Sequence, residues 1–367
     1  MSNSTTVQLP PFPSSNGKKG PKGQPQKDFN KALAEAMNVA YKAGKIWTTR
    51  GWCYALEELS GLKKSDFDAV EGVIRELRLK GLVPLDAVLE DQAREWEGFE
   101  SVDYEDIGSY ADSIVRTIQW RVRNYRPSSF WDDMDCFICV AVEKRDLLSV
   151  FRPICQRYEV PLANFRGSPD YLSRGKVLRE FMWHWRQGRK VVVLYCGDHD
   201  PAGLRMSGKE MIDNFAAMHN TILGKEKLSF NRELFSVERF GLNKDFIDKH
   251  NIPWSDNLIT GQKDKSKCND LADPNHRDHN LPYVQDYLNE FCSYGYDDKL
   301  KCHRWFGRKV ESNVLVVREE EGQELCTKAI EKYISLEDVH KFYSKLKEPR
   351  KELATIVSKR LADGVVL

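Results

Sequence analysis

Apolar positions recur at helical spacing through the first ninety residues. Phe29 opens a helix whose Leu33, Met37, Ala40 and Tyr41 share one face, with Gly44 as its stop. A second, shorter helix is predicted through Thr49 to Leu59, ending at Gly61. For the third, Ser65 with Asp68 three residues on resembles a capping box, and Phe67, Val70, Val73, Ile74 and Leu77 then make one stripe before Gly81. The stretch Leu82 to Val88 reads as a short strand or wing.

Three short helices and a β segment outline a winged helix-turn-helix over residues 29–90, whose third helix would enter a major groove. Arg75 and Arg78, three apart on that helix, are candidates for phosphate or base contact, and a solvated basic face is an equal alternative. Residues 91–135 read as linker and helix: acidic to Asp112, then Arg116, Arg121, Arg123 and Arg126 set among Trp120, Tyr125, Phe130 and Trp131. Such interleaving suits a nucleic-acid backbone or an ordinary amphipathic helix.

From Cys136 the pattern changes. Apolar runs at 136–142, 161–165 and 190–196 alternate with helical patterns at 145–158, 173–187 and after Gly208, which predicts an α/β core with a parallel sheet over 136–220. Residues 221–367 read as a mixed continuation, with a polar loop over 260–279 and a helix over 334–361. Arg304 to Asn313 reads as a strand and loop near the site, without an assigned role.

Composition narrows the class but names no partner. In 367 residues, 41% hydrophobic and 30% charged, Lys and Arg number 56 against 55 Asp and Glu, so the formal net charge is only +1. Residues 1–28, rich in Ser, Pro, Gly, Asn and Gln with Lys18, Lys19, Lys22 and Lys27, read as a disordered basic tail. No apolar run approaches the ~20 residues of a membrane span. Nine cysteines without an apolar secretory segment suit reduced thiols in a cytoplasmic or nucleoid-associated protein. Cys136 and Cys139 have metal-knuckle spacing but sit inside a strand pattern, where alternate residues face opposite ways. Cys268, His276, His279, Cys292, Cys302 and His303 are too irregularly spaced to favour zinc over scattered structural roles.

The chemistry concentrates at two strand ends, where open α/β sheets place their sites. Val142-Glu143-Lys144 closes one apolar run, and Gly197-Asp198-His199-Asp200-Pro201-Ala202-Gly203 follows another. On extended chain Asp198 and Asp200 point to one side and His199 to the other. If the two strands are neighbours, Glu143, Asp198 and Asp200 converge, and a hard cation such as Mg²⁺ would relieve their repulsion and engage a phosphate. Lys144 is a candidate phosphate contact, or simply a surface lysine.

A strand ending in Glu, a helix, a middle strand and a strand ending in Asp-x-Asp-Pro-x-Gly resembles the Toprim domain of topoisomerases, primases and certain nucleases. That resemblance implies Mg²⁺ held by Glu143, Asp198 and Asp200. Arg50-Gly51-Trp52-Cys53-Tyr54 within the winged-helix outline is similar to the Arg-x-x-Tyr/Phe-Tyr pattern of the topoisomerase VI A subunit and its relative, the meiotic double-strand-break protein. Gly167-Ser168-Pro169-Asp170 is similar to a turn of the same family. The resemblance implies that Tyr54, aided by Arg50, attacks a phosphodiester of double-stranded DNA, that the protein works as a homodimer, and that any ATPase is a separate subunit. A phenol of ordinary pKa ~10 needs such aid. A hydrolytic Toprim nuclease of a mobile element or defence system, and a non-catalytic DNA-binding module, are the alternative readings.

Overall fold

The computed structural model describes residues 9–13, 23–88, 106–165, 171–222, 230–260 and 268–363. Most of the basic tail, the acidic stretch before Asp106 and the Gly167 to Asp170 turn lie outside these residues. Helix α1 (Gln24–Lys42) starts five residues earlier than the apolar stripe predicts. Helix α2 (Thr49–Ser60) is held at both ends: the Thr48 hydroxyl accepts from Gly51 N, and Gly61 adopts the left-handed conformation that ends the helix. Helix α3 (Phe67–Leu79) carries the expected stripe, and Phe67, Val70, Ile74 and Leu77 are buried. Its predicted capping box does not form, because Lys64–Asp66 tighten into a 3₁₀ turn and no side chain caps the helix. Nor does a wing form among the described residues. Leu85–Ala87 is a second 3₁₀ turn, and only Val88 bridges to Trp47.

Helix α4 (Ile107–Arg123) buries none of its residues, and Ile107, Tyr110, Ile114, Val115 and Trp120 are exposed. The arginine-aromatic stretch is thereby divided: Phe130 and Trp131 enter the core, and Arg126 pairs with Glu159 at 2.7 Å.

The central sheet holds β1 (Cys136–Val142), β2 (Leu162–Asn164), β3 (Lys190–Cys196) and β4 (Phe235–Gly241), all parallel, in the order β2-β1-β3-β4. Strands β1 and β3 are buried almost throughout, as continuous apolar runs in a covered parallel sheet should be. The helices α5 (Leu147–Arg157), α6 (Tyr171–Arg186), α7 (Pro201–Met206), α8 (Lys209–Ile222) and α9 (Lys244–Lys249) belong to this α/β core. Beyond it come α10 (Pro282–Phe291), an antiparallel ribbon of β5 (Ser293–Asp297) and β6 (Cys302–Phe306), then α11 (Val314–Val317), α12 (Glu319–Ile330), α13 (Leu336–Lys345) and α14 (Lys347–Ala362). The last two replace the single helix expected over 334–361.

One continuous apolar core runs from Leu33 and Trp52 through the sheet to Ile330 and Phe342, so the N-terminal helices and the sheet share an interior. Their junction is close. The side chain of buried Asp146 accepts from Thr48 N, and a Cβ on Gly51 would lie 2.9 Å from that carboxylate. Gly51, a poor helix former, is there because the helix start must approach Asp146. Ion pairs Arg318–Glu58 at 3.0 Å and Lys45–Glu319 at 3.2 Å tie the same surfaces. A smaller apolar cluster around Leu258, Tyr287 and Phe291 supports the ribbon. No described helix is long and apolar enough to cross a membrane.

His184 is fully buried, stacked on Phe137 with ring centroids 3.9 Å apart, and burial together with Arg189 pushes it down to about 4. The unfolded chain therefore takes up a proton first as pH falls from ~6.5, and stability drops through the interval down to about 4. Urea unfolding of the parent and His184→Phe between pH 7 and 4.5 should show a shallower loss in the variant. The difference in slope should be at most about 1.4 kcal/mol per pH unit.

Candidate active site

Parallel pairing of β1 with β3 matches Val142 to Cys196, so the residues leaving both strands emerge side by side. The Glu143 amide donates to Cys196 O, and its carboxylate Oε2 accepts from Asp198 N at 2.9 Å and lies 3.3 Å from the Tyr195 hydroxyl. Asp198 is 5% exposed. Its Oδ1 accepts from Ser312 N at 2.8 Å and Ser312 Oγ at 2.7 Å, and its Oδ2 meets Lys144 Nζ at 2.7 Å. The same ammonium lies 3.6 Å from Glu143 Oε1. Lys144 thus stands between two carboxylates rather than on open surface.

The turn holding Asp198 is built by close approach. A Cβ on Gly197 would fall 2.7 Å from Glu143 Oε2, and one on Gly203 only 2.1 Å from Asp198 O. From β4, the Arg239 guanidinium donates to Gly197 O, Asp198 O and Gly203 O at 2.7, 2.8 and 3.1 Å. His199 turns away from the carboxylates, as the strand alternation predicts, and packs on Trp254 and Phe291. Its backbone pairs with Val310, which delivers Ser312 to Asp198.

Asp200 departs from expectation. Its Oδ1 accepts from Gly203 N at 2.7 Å, capping α7, so its carboxylate is partly spent on the helix start. Glu143 and Asp198 meet, the Asp200 charge acts on Glu143 from the next turn, and among the described residues no group of three or more His, Cys, Asp or Glu is arranged to hold a metal ion. The two cysteine and histidine sets considered for zinc fall under the same statement. Burial, then the Asp198 charge, raises both Glu143 and Asp200 above the ordinary carboxylate range. Burial opposes the charge on Lys144, but Asp198 and Glu143 overcome it and raise its pKa.

Tyr54 and Arg50 lie on α2 beside this centre. The Tyr54 ring packs edge-on against Phe67, centroids 5.2 Å apart, with Lys64 Nζ 5.9 Å above it. Burial and the Glu311 charge push its hydroxyl up to about 12, while Lys144 and Arg50 pull it down. Arg50 also pairs with Glu71 at 3.0 Å. Burial works to raise Glu311, yet Lys64, Lys309 and Lys144 together hold it below its usual value. An ion pair between Lys64 and Glu311 joins the two parts of the fold here.

The remaining candidates lie elsewhere. Arg75 is exposed on α3, and Arg78 is turned inward to donate to Leu85 O rather than projecting as a free base contact. Ser312, Glu311, Arg239 and Tyr195 were not among the predicted site residues. Tyr195 alone carried a local signal, being two residues before Gly197 on the apolar strand.

Scans against protein-family models, curated proteins and solved structures find no match to this chain.

The carboxylate oxygens of Glu143 and Asp198 are hard donors, and Lys144 already serves Glu143 Oε1 and Asp198 Oδ2 as a cation. A Mg²⁺ ion at these carboxylates would have to take the place that Lys144 fills. Isothermal titration should therefore show Lys144→Met binding Mg²⁺ about tenfold or more tightly than the parent. An unchanged or weaker affinity would mean that the lysine does not occupy the cation position.

Proposed function

We propose that this chain cleaves strands of double-stranded DNA with Mg²⁺, in the manner of the topoisomerase VI A subunit, through a Toprim-like centre beside a winged-helix-like unit. The carrying observation is that Glu143 and Asp198 meet around the Lys144 ammonium at the ends of adjacent parallel strands, with Tyr54 close enough to feel Lys144 and Glu311. Glu143 and Asp198, joined by Asp200, would hold the ion, which supplies neutralisation of charge on the phosphate oxygens.

The protein's own groups do the rest. Tyr54 Oη attacks the phosphorus, its proton passing to water or a neighbouring base, and a P–O bond to the adjoining sugar breaks as that oxygen takes a proton. The product is a phosphotyrosyl ester and a free hydroxyl, and reversal of the same steps religates the strand. Arg50 and Lys144 favour the phenolate that this attack requires. Cutting both strands takes two copies of Tyr54, hence a homodimer, and with no Gly-x-x-x-x-Gly-Lys-Ser/Thr loop in the sequence any ATP-driven step falls to a separate ATPase subunit.

One observation favours a second reading. A Tyr54 hydroxyl pushed up to about 12 is a reluctant nucleophile, which suits a hydrolytic Toprim nuclease with water attacking and Tyr54 as scaffold. Incubation with supercoiled DNA and Mg²⁺ followed by denaturation separates the two. Protein covalently joined to DNA ends, and lost in Tyr54→Phe, is the expected result; nicking without adduct in both proteins supports hydrolysis. Asp198→Asn should lower either activity by at least about a hundredfold, since it removes a hard anionic donor from the centre. Duplex binding that survives Asp198→Asn, with no cleavage by the parent protein, would leave only a non-catalytic DNA-binding module.

A further inference from the structure

The ribbon β5–β6 is the one strand pair outside the central sheet among the described residues, and its surface is unusual. Its register sets Tyr294 opposite Trp305 and Tyr296 opposite His303. Opposed residues share a face and alternate residues repeat it, so four aromatic rings line one side. Tyr294 and Tyr296 are 60% and 49% exposed. At the tip, Leu300 is 61% exposed between Lys299 and Lys301, and the amides of Lys299 and Leu300 donate to the Asp297 carboxylate, which fixes the turn. Of the five basic residues in 293–309, Arg304 pairs with Asp297 at 2.8 Å, Arg308 seats on Trp254 and Lys309 lies 3.6 Å from Glu311, which leaves Lys299 and Lys301 against Asp298 at the tip.

The ribbon is also rooted at the candidate active site. Arg308 seats its guanidinium 4.2 Å from the Trp254 ring centroid, Lys309 pairs with Ser255 and Val310 with His199, and Ser312 then reaches Asp198. Five residues separate the end of β6 from Ser312 at the Asp198 contact. A ribbon with an apolar tip, flanking ammonium groups and an aromatic face therefore extends from the same loop that orients the carboxylate.

We propose that this ribbon is a duplex DNA-binding arm, with Lys299 and Lys301 on the phosphates and Leu300 pressed between base steps as a wedge. Duplex grooves accept both two-stranded ribbons and apolar wedges flanked by cations, the combination that Leu300 makes with Lys299 and Lys301. The excess positive charge fits a phosphodiester backbone rather than an apolar or basic protein face. The inference rests on the DNA reading above and adds the element that grips and bends the substrate.

The test uses the full-length protein without divalent metal, so that no cleavage intervenes, and a 30-base-pair duplex carrying donor and acceptor dyes at its ends. Lys299→Gln combined with Lys301→Gln should reduce the slope of log affinity against log salt by about two units, one for each lost phosphate contact. Leu300→Ser should keep the parent slope but lose the rise in energy transfer that reports bending. Circular dichroism identical to the parent's establishes that the ribbon variants are folded. Parent-like slope and bending in all variants would overturn the arm while leaving DNA binding intact, and a change only in self-association, read by light scattering, would overturn it in favour of a second copy. Failure of the parent itself to bind duplex at low salt would overturn the DNA reading and this one together, an outcome distinct from the others.

Discussion

Two carboxylates forced together by parallel strand pairing set the terms for the rest of this molecule. Once β1 and β3 are in register, Glu143 cannot avoid the backbone of Asp198, and it feels the Asp198 charge in a partly buried setting. The surrounding structure answers that cost. Lys144 places a positive charge between them, Ser312 donates twice to Asp198, and Arg239 ties down the carbonyls of the turn that carries it. Removal of any one of these groups leaves a buried charge or dipole unmatched, so the centre behaves as a unit.

The same arrangement explains why remote parts of the chain are packed where they are. The backbone pairing of His199 with Val310 draws the C-terminal region across the strand ends, and the Lys64–Glu311 contact carries that region to the N-terminal helices. The close seating of Gly51 on Asp146 completes the circuit from the other side. The continuous core is the apolar counterpart of this polar loop: neither half of the molecule presents a complete interior without the other.

How much of this was legible in the sequence depended on the range of the interaction. Strands β1 and β3 read clearly because burial on both faces demands unbroken apolar runs, and Glu143 and Asp198 read clearly because they end those runs. Helices α2 and α3 were visible in their stripes and stops. Local competition altered finer expectations: Ser65 was drawn into a 3₁₀ turn, and Asp200, standing just before Pro201 at a helix start, turned one oxygen to cap it. Ser312, Glu311 and Arg239 were beyond reach of any local pattern, since they arrive from 41 to 114 residues away from Asp198 along the chain. The overall α/β class survives such errors because it depends on periodicity summed over many positions, whereas a site depends on a few side-chain directions.

The lysine between the carboxylates has a consequence for assembly. In small metal-organised proteins the ion is part of the folding reaction, and its removal unfolds the chain. Here the balancing charge is covalently attached and arrives with the polypeptide, so the interior can close before any ion is encountered. Order in this protein is thereby uncoupled from the supply of divalent cation.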